Sequence, residues 1–236
     1  MIRYIPVEAM HRSHDIEWLD SIFHFSFAGY YNRNNMNFGV LRVLNDDLII
    51  GHAGFDTHPH SDMEIVSYMV HGALTHRDSL GNSGTIRRGE VQYMSAGSGI
   101  LHSEINEGDE TVRLLQIWIL PDVNNAPPSY GDYQFPWEAR KNKLLHMVSD
   151  KNGNAPVKLN QDVNVYALEL DAGSTLDFQV ADSRQCYIVQ IEGGSDINGI
   201  SLKERDALES VQETVRVTAQ GVSHVLFIEM GISAAR

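Results

Sequence analysis

Apolar positions along this chain fall in short runs broken by glycine and asparagine, and no stretch carries the 3.6-residue rhythm of a long amphipathic helix. Residues 37–44, 64–70, 90–94 and 112–120 have strand length and are rich in β-branched and aromatic side chains. Gly72, the Gly81-Asn82 pair, Gly89 and the Gly97/Gly99 pair separate them, and such glycines supply the positive φ of tight turns. Short strands at intervals of roughly 8–12 residues predict an antiparallel sandwich or barrel. Brief helical turns are expected only near residues 18–22 and 137–142. The chain reads as all-β.

The two halves echo one another weakly. In the first, a strand at 65–70 leads to Gly72, a further strand, a Gly-Asn turn and then Arg88-Gly89-Glu90. In the second, a strand at 187–191 leads to Gly193-Gly194, then Asn198-Gly199, then Arg205-Asp206-Ala207. Asn-Gly is a strong hairpin signal because type I′ turns need positive φ at both central residues. Further strands at 163–170, 214–218 and 225–230 fill out the second unit, and the Pro-, Asn- and Gly-rich stretch 121–136 reads as the connection. The prediction is two β-barrel domains in tandem, 1–125 and 126–236. A single larger sandwich is the alternative.

Charge narrows the function classes. The 236 residues carry 18 Lys+Arg against 31 Asp+Glu, a net charge of −13, which argues against nucleic acid or an anionic membrane as partner. No run is long and apolar enough for a transmembrane helix. The opening MIRYIPVEAMHRSHD lacks the apolar core of a secretory signal, and Cys186 is the single cysteine, so a cytoplasmic protein without an internal disulfide is expected. Histidine changes the picture more. Of 11 in the chain, His52, His58, His60, His71, His76 and His102 lie within about a fifth of its length.

Two dyads carry the chemistry. His58-Pro59-His60 and His102-Ser103-Glu104 both have i, i+2 spacing, which puts side chains on one face of a strand with Cα atoms roughly 6.5–7 Å apart. If the two strands face one interior, three imidazoles and a carboxylate converge. Such an N₃O set suits a borderline divalent transition metal and leaves about two of six coordination positions open for chemistry. Pro59 removes a ladder donor, which points to an edge or a bulge. A closed structural zinc site is disfavoured, since those sites are usually cysteine-rich.

The dyads sit in patterns that resemble the two cupin motifs, His58-x-His60-x₃-Glu64 … Gly72 and Gly89 … Gly99-x₂-His102-x₃-Asn106. More closely, the stretches 18–21, 25–27, 41–47, 58–60, 76–82 (His76-Arg77-Asp78-Ser79-Leu80-Gly81-Asn82), 94–104 and 116–118 resemble the pirin family, densely over about the first 120 residues and only in layout beyond. The resemblance implies a bicupin of two jelly-roll barrels. The N-terminal barrel would bind one divalent ion through His58, His60, His102 and Glu104, and the C-terminal barrel would be degenerate. Iron is the expected ion, with manganese, nickel, copper, cobalt or zinc as alternatives. Some family members act as quercetin 2,3-dioxygenases, which implies a small aromatic substrate and dioxygen, ring opening of a flavonol with release of carbon monoxide, and Glu104 as both ligand and proton acceptor. A monomer is expected. The alternative implied by the family is a non-enzymatic, metal-dependent regulator that binds another protein.

Cupins at large use the carboxylate of the first motif, here Glu64. It lies four residues beyond His60, roughly 13 Å along a regular strand, whereas Glu104 reaches from two residues away. Glu104 is therefore the chosen fourth ligand and Glu64 the alternative. His76, beside a charged turn, is expected to be solvated, and His24 to be a core or rim residue. Trp18, Phe25, Phe27, Tyr30 and Tyr31 read first as core packing and second as walls for a flat substrate. His146 and His224 lack an i+2 His or Glu, so no metal is expected in the second barrel.

Overall fold

The computed structural model describes residues 1–232 and divides into two units. Strand β1 (Ile2–Ile5) opens the chain. There follow β2 (His11–Ile16), β3 (Leu19–Phe23), β4 (Leu41–Ile49), β5 (Ala53–His60), β6 (Glu64–His71), β7 (Ala73–Asp78), β8 (Ser83–Arg87), β9 (Val91–Ser95), β10 (Ile100–Asn106), β11 (Val112–Ile119) and β12 (Ser129–Tyr133). The remainder comprises β13 (Leu145–Asp150), β14 (Val157–Leu159), β15 (Val163–Leu170), β16 (Thr175–Phe178), β17 (Arg184–Glu192), β18 (Ser195–Ile197), β19 (Ile200–Leu202), β20 (Ala207–Val211), β21 (Val215–Ala219) and β22 (Ser223–Gly231). Neither short helix, Val7–Ala9 or Trp137–Arg140, exceeds one 3₁₀ turn. Residues 18–22, expected to hold a helical turn, instead lead into β3. Among the described residues no helix is long and apolar enough to cross a membrane.

The unit formed by His11–Phe135 and Leu159–Gln161 stacks a seven-stranded sheet, β12-β9-β6-β11-β4-β3-β2, on a four-stranded one, β5-β10-β7-β8. Ile49, Met69, Val112 and Leu114 of the large sheet bury themselves against Leu74 and Ile86 of the small one. Central strands β6 and β11, covered on both faces, are nearly continuous apolar runs, whereas β10 alternates: Ile100, His102, Glu104 and Asn106 are buried, and Leu101 is exposed. That alternation turns His102 and Glu104 inward together. Strand β5 is the edge strand of its sheet, which is where Pro59 is tolerated. Its register against β10 slips between His102 and Glu104, so that His102 opposes His58 but Glu104 opposes Phe55. This bulge places the extra residue in β5, just ahead of His58. Gly54, on the same strand and paired with Ile105, is where a Cβ would strike the Glu104 carbonyl.

The second unit has the same two-sheet plan, β1-β20-β17-β22-β15-β13-β14 with β16-β21-β18-β19. Leu168, Ile188 and Phe227 of the larger sheet pack on Phe178, Ile197 and Val217 of the smaller. Asn198 and Gly199 both take positive φ, 52° and 83°, and close the β18–β19 hairpin as the Asn-Gly pair predicts. Two jelly-roll β domains in tandem are therefore observed. The division does not fall at 125/126. Met1–Met10 belong to the second unit, where β1 pairs antiparallel with β20 from Ile2↔Ser210 to Ile5↔Ala207. The physical reason is an open sheet edge: without β1, strand β20 would present an unpaired row of backbone groups.

Candidate metal centre

Strand register brings the two dyads together across β5 and β10. His102 lies directly across from His58, and Ile100 from His60, so the three imidazoles share the inner face. Their rings stand 4.4 Å (His58–His102), 4.8 Å (His58–His60) and 4.9 Å (His60–His102) apart, and one nitrogen from each lies within 4.8 Å of the others. His58 Nδ1 sits 2.7 Å from the Asp56 carbonyl oxygen, which fixes the ring and leaves Nε2 for the cavity. His102 Nε2 is buried without a hydrogen-bond partner.

Burial keeps the His60 and His102 rings neutral. His60 is pushed down to about 4 by desolvation and by the neighbouring His58. His102 falls to about 2, first through burial and then through His58, His60 and His76. Neutral imidazoles are the form that donates to a metal.

Glu104 is also brought inward, and its carboxylate is caged. Gln116 Nε2 donates to Oε2 at 2.7 Å, the Ser67 hydroxyl lies 3.0 Å from Oε1, and Gln92 Nε2 donates to the same oxygen. In this arrangement Glu104 groups with His102 and His76 within 4.8 Å rather than with His58 and His60. Glu64 belongs to neither group. It is buried against β9 and the 159–161 segment, accepting from Ser95 Oγ at 2.7 Å and from Asn160 Nδ2 at 3.0 Å.

A cavity of about 150 Å³ opens in front of the histidines. Phe23, Phe27, Phe55, Ile65 and Trp118 form its apolar wall, and Trp118 meets His60 edge-on at 4.8 Å. Of the expected aromatic cluster, Phe27 thus walls the cavity, Phe25 is core, Trp18 packs on Phe55 and Tyr31 is exposed. The polar side of the cavity comprises Ser21, Asn45, Asp47 and Gln116 beside the histidines and Glu104. Asp47 is fully buried and accepts from the Ser21 hydroxyl. Burial pushes its carboxyl up to about 7, with Asp46 and Glu104 adding to the shift. Asp46, the preceding residue, faces the other way into a bidentate pair with Arg113 at 2.9 and 2.8 Å.

His76 corrects an expectation. It is fully buried, not solvated, stacked on Tyr130 at 4.1 Å and 3.3 Å from His102 through the two Nδ1 atoms. The signal was present, since His76-Arg77-Asp78 repeats the i, i+2 spacing of the other dyads and Arg77 takes the outward position. His24 is buried as expected, its imidazole pushed down to about 4 by desolvation. His11 stacks on Tyr30 at 4.2 Å, and His52 pairs with Asp109 at 2.8 Å, partners that the sequence does not disclose. In the second unit His146 bonds Asn164, and buried His224 lies 2.9 Å from Glu192.

Comparison with known proteins agrees with this architecture. Residues 6–119 match the Pirin family model, and residues 146–230 match that of the quercetinase C-terminal cupin domain. A pirin-like protein of Caulobacter vibrioides is 44% identical over 85% of this chain and 87% of its own length. The quercetin 2,3-dioxygenase of Escherichia coli K12 is 39% identical over 94% of this chain and 95% of its own. A crystal structure of bacterial pirin from Escherichia coli, in complex with nickel(II), superposes with a TM-score of 0.92 at 36% identity, covering 99% of this chain and 100% of the other. With both halves matched in order and relatives 39–44% identical over most of their length, the chain belongs to the pirin family and is built of two cupin domains.

Proposed function

We propose that the first unit is a metal-dependent oxygenase centre that opens the heterocyclic ring of a flavonol such as quercetin with dioxygen, releasing carbon monoxide. The observation that carries the reading is the buried, unpartnered Nε2 of His102 between two further imidazoles at the end of an aromatic-walled cavity. A buried polar atom without a partner is costly, and a metal ion satisfies it. Three imidazoles and a carboxylate suit a borderline divalent ion, which His58, His60 and His102 would hold, with Glu104 reaching it from the side of His102. Such an ion supplies Lewis acidity toward a substrate hydroxyl and, where it is redox-active, a route for an electron to dioxygen.

The chain's own residues do the rest. A cavity of about 150 Å³ is close to the volume that encloses one benzene ring. Phe27, Phe55 and Trp118 therefore orient the ring that bears the reacting hydroxyl, while the remainder of the substrate occupies the mouth. The apolar wall thins the water around the reacting oxygen, which strengthens every charge interaction there. Glu104 accepts the hydroxyl proton at a carboxylate oxygen, and Gln116 and Gln92 hold that carboxylate toward the cavity. Asn45 Oδ1, on the polar side and without a hydrogen-bond partner, is an acceptor for a second substrate hydroxyl.

The test is aerobic turnover. Protein loaded separately with iron, manganese, nickel, copper or cobalt should bleach the visible band of quercetin and release carbon monoxide, and the metal-free protein should not. No loss with any ion sinks the flavonol reading and favours a metal-dependent regulator. Glu104→Gln should retain some ion and lose turnover; sustained turnover removes Glu104 as the proton acceptor.

A further inference from the structure

A chain of three side chains leaves the cavity through His102. His102 Nδ1 lies 3.3 Å from His76 Nδ1, and His76 Nε2 lies 3.2 Å from Asp78 Oδ2. The side chains of His76 and Asp78 are fully buried, and Tyr130 lies flat on His76 with an interplanar angle of 11°. Asp78 is held from its far side as well. Its Oδ1 accepts from the backbone N–H of Leu80 at 2.9 Å and of Asn82 at 3.0 Å, and Asn82 Nδ2 donates to Oδ2 at 2.9 Å. His76 and the turn that follows β7 thus converge on one carboxylate, through the Leu80 N–H, the Asn82 N–H and the Asn82 amide.

We propose that His76 and Asp78 are positioning residues that fix the tautomer of His102, with its proton on Nδ1 and the lone pair of Nε2 facing the ion. A carboxylate only accepts, so a His76 ring that carries one proton gives it to Asp78 at Nε2, 3.2 Å from Oδ2. That leaves His76 Nδ1 as an acceptor, and an acceptor at 3.3 Å obliges His102 Nδ1 to be the donor. His102 Nε2 is then bare, and it is the atom that is buried without a partner. The reverse order would turn the His76 Nε2 lone pair against the carboxylate. It would also leave a buried, unsatisfied N–H on the nitrogen that has to bind the ion. A carboxylate two rings away therefore sets which nitrogen of the ligand is free. The spacing explains how one strand does this: His76 and Asp78, two apart on β7, oppose Glu104 and His102 of β10.

The inference rests on the metal-centre reading, but its first measurement does not need the metal. In metal-free protein labelled with ¹⁵N-histidine, long-range ¹H–¹⁵N correlation should find His102 protonated at Nδ1 and unprotonated at Nε2. A proton on Nε2, as a doubly protonated His76 would impose, overturns the proposal. Asp78→Asn can donate to His76 Nε2, so it should move the His102 proton to Nε2 and weaken nickel(II) or cobalt(II) binding, by chelator competition, roughly 10–100-fold. An unchanged tautomer with unchanged affinity overturns it.

His76→Phe keeps the ring on Tyr130 but carries no nitrogen, and should lose affinity on the same scale. His76→Gln can accept from His102 and donate to Asp78, and should keep most of it. Equal affinities for these two variants mean that His76 only packs, and overturn the proposal. So do two ions per chain with His76 as a ligand, because His76, His102 and Glu104 would then hold their own ion. Wild-type protein that binds no ion sinks the metal centre itself, and the tautomer measurement still decides the relay.

Discussion

Gln116 on β11 donates through Nε2 to Glu104 Oε2 on β10 at 2.7 Å, a bond that crosses from the large sheet to the small one inside the first unit. The Ser67 hydroxyl lies 2.9 Å from Gln116 Oε1, so the amide is oriented from behind. Gln116→Leu removes one donor from a buried carboxylate and leaves it partly unsatisfied. The expected cost is about 1–3 kcal/mol, read as a fall in the urea midpoint at constant m-value. An unchanged midpoint means that the cage around Glu104 contributes nothing to the fold.

The two candidate carboxylates separate cleanly by mutation. Glu64 is saturated by Ser95 and Asn160, whereas Glu104 shares a ligand-distance group with His102. Glu64→Gln should lower stability while the metal content of purified protein, by elemental analysis, stays at the wild-type level. Glu104→Gln should show the converse, with metal content or affinity reduced and folding retained. Metal loss confined to Glu64→Gln would return the fourth position to the first motif.

Much of this arrangement is legible in the sequence, and what is not has identifiable causes. The strand-length, apolar-rich run VNVYALEL predicts β15 at its observed bounds, Val163–Leu170, and Val163, Val165, Ala167, Leu168 and Leu170 are its core side chains. The i, i+2 rule brings His102 and Glu104 to one face, and the same rule applied at His76 and Asp78 would find the relay. There the charge of Arg77 and Asp78 suggests a solvated turn, although only Arg77 points outward. Ser67 and Gln116 interrupt otherwise apolar strands, a sign of a buried polar partner, but sequence gives no hint that the partner is Glu104. The pairing of β1 with β20 joins residues some 200 positions apart, and strand alternation carries no information about so distant a register.

Asp47 and the buried histidines impose opposite pH dependences on metal-free protein. Asp47 has its folded value raised from 3.8 to about 7, so its proton is held more tightly in the folded state. Stability from this group is present below the unfolded value and is lost as pH rises toward 7, at a limiting slope of about 1.4 kcal/mol per pH unit. His24, lowered from 6.5 to about 4, works the other way: its contribution is present above 6.5 and is lost as pH falls toward 4. His102 follows His24 with a lower end near 2, and His60 adds a smaller, solvent-screened share. Asp47→Asn should therefore gain stability relative to wild type as pH increases from about 4 to 7, in urea titrations at several pH values. A pH-independent difference would show that Asp47 ionises normally in the fold.

The amino-terminal strand offers a test of how the chain is divided. β1 forms a four-residue ladder with β20, the Tyr4 hydroxyl donates to Asp206 Oδ2 at 2.7 Å, and the Val7 N–H donates to Asp206 Oδ1 at 2.8 Å. Asp206 is buried and also accepts from the Lys203 N–H, so its carboxylate ties the first residues to the β19–β20 turn. Deleting residues 1–9 removes these donors and bares the β20 edge, which invites pairing with another chain. The truncated protein should unfold at lower urea and self-associate in sedimentation, while Tyr4→Phe, which loses one hydrogen bond to a charged group, should cost about 1.5–3 kcal/mol. Histidine resonances of the first unit should be unmoved in Tyr4→Phe, because Tyr4 and Asp206 both belong to the second unit. Shifts at His58, His60 or His102 in that variant would show that the amino-terminal strand supports the metal centre.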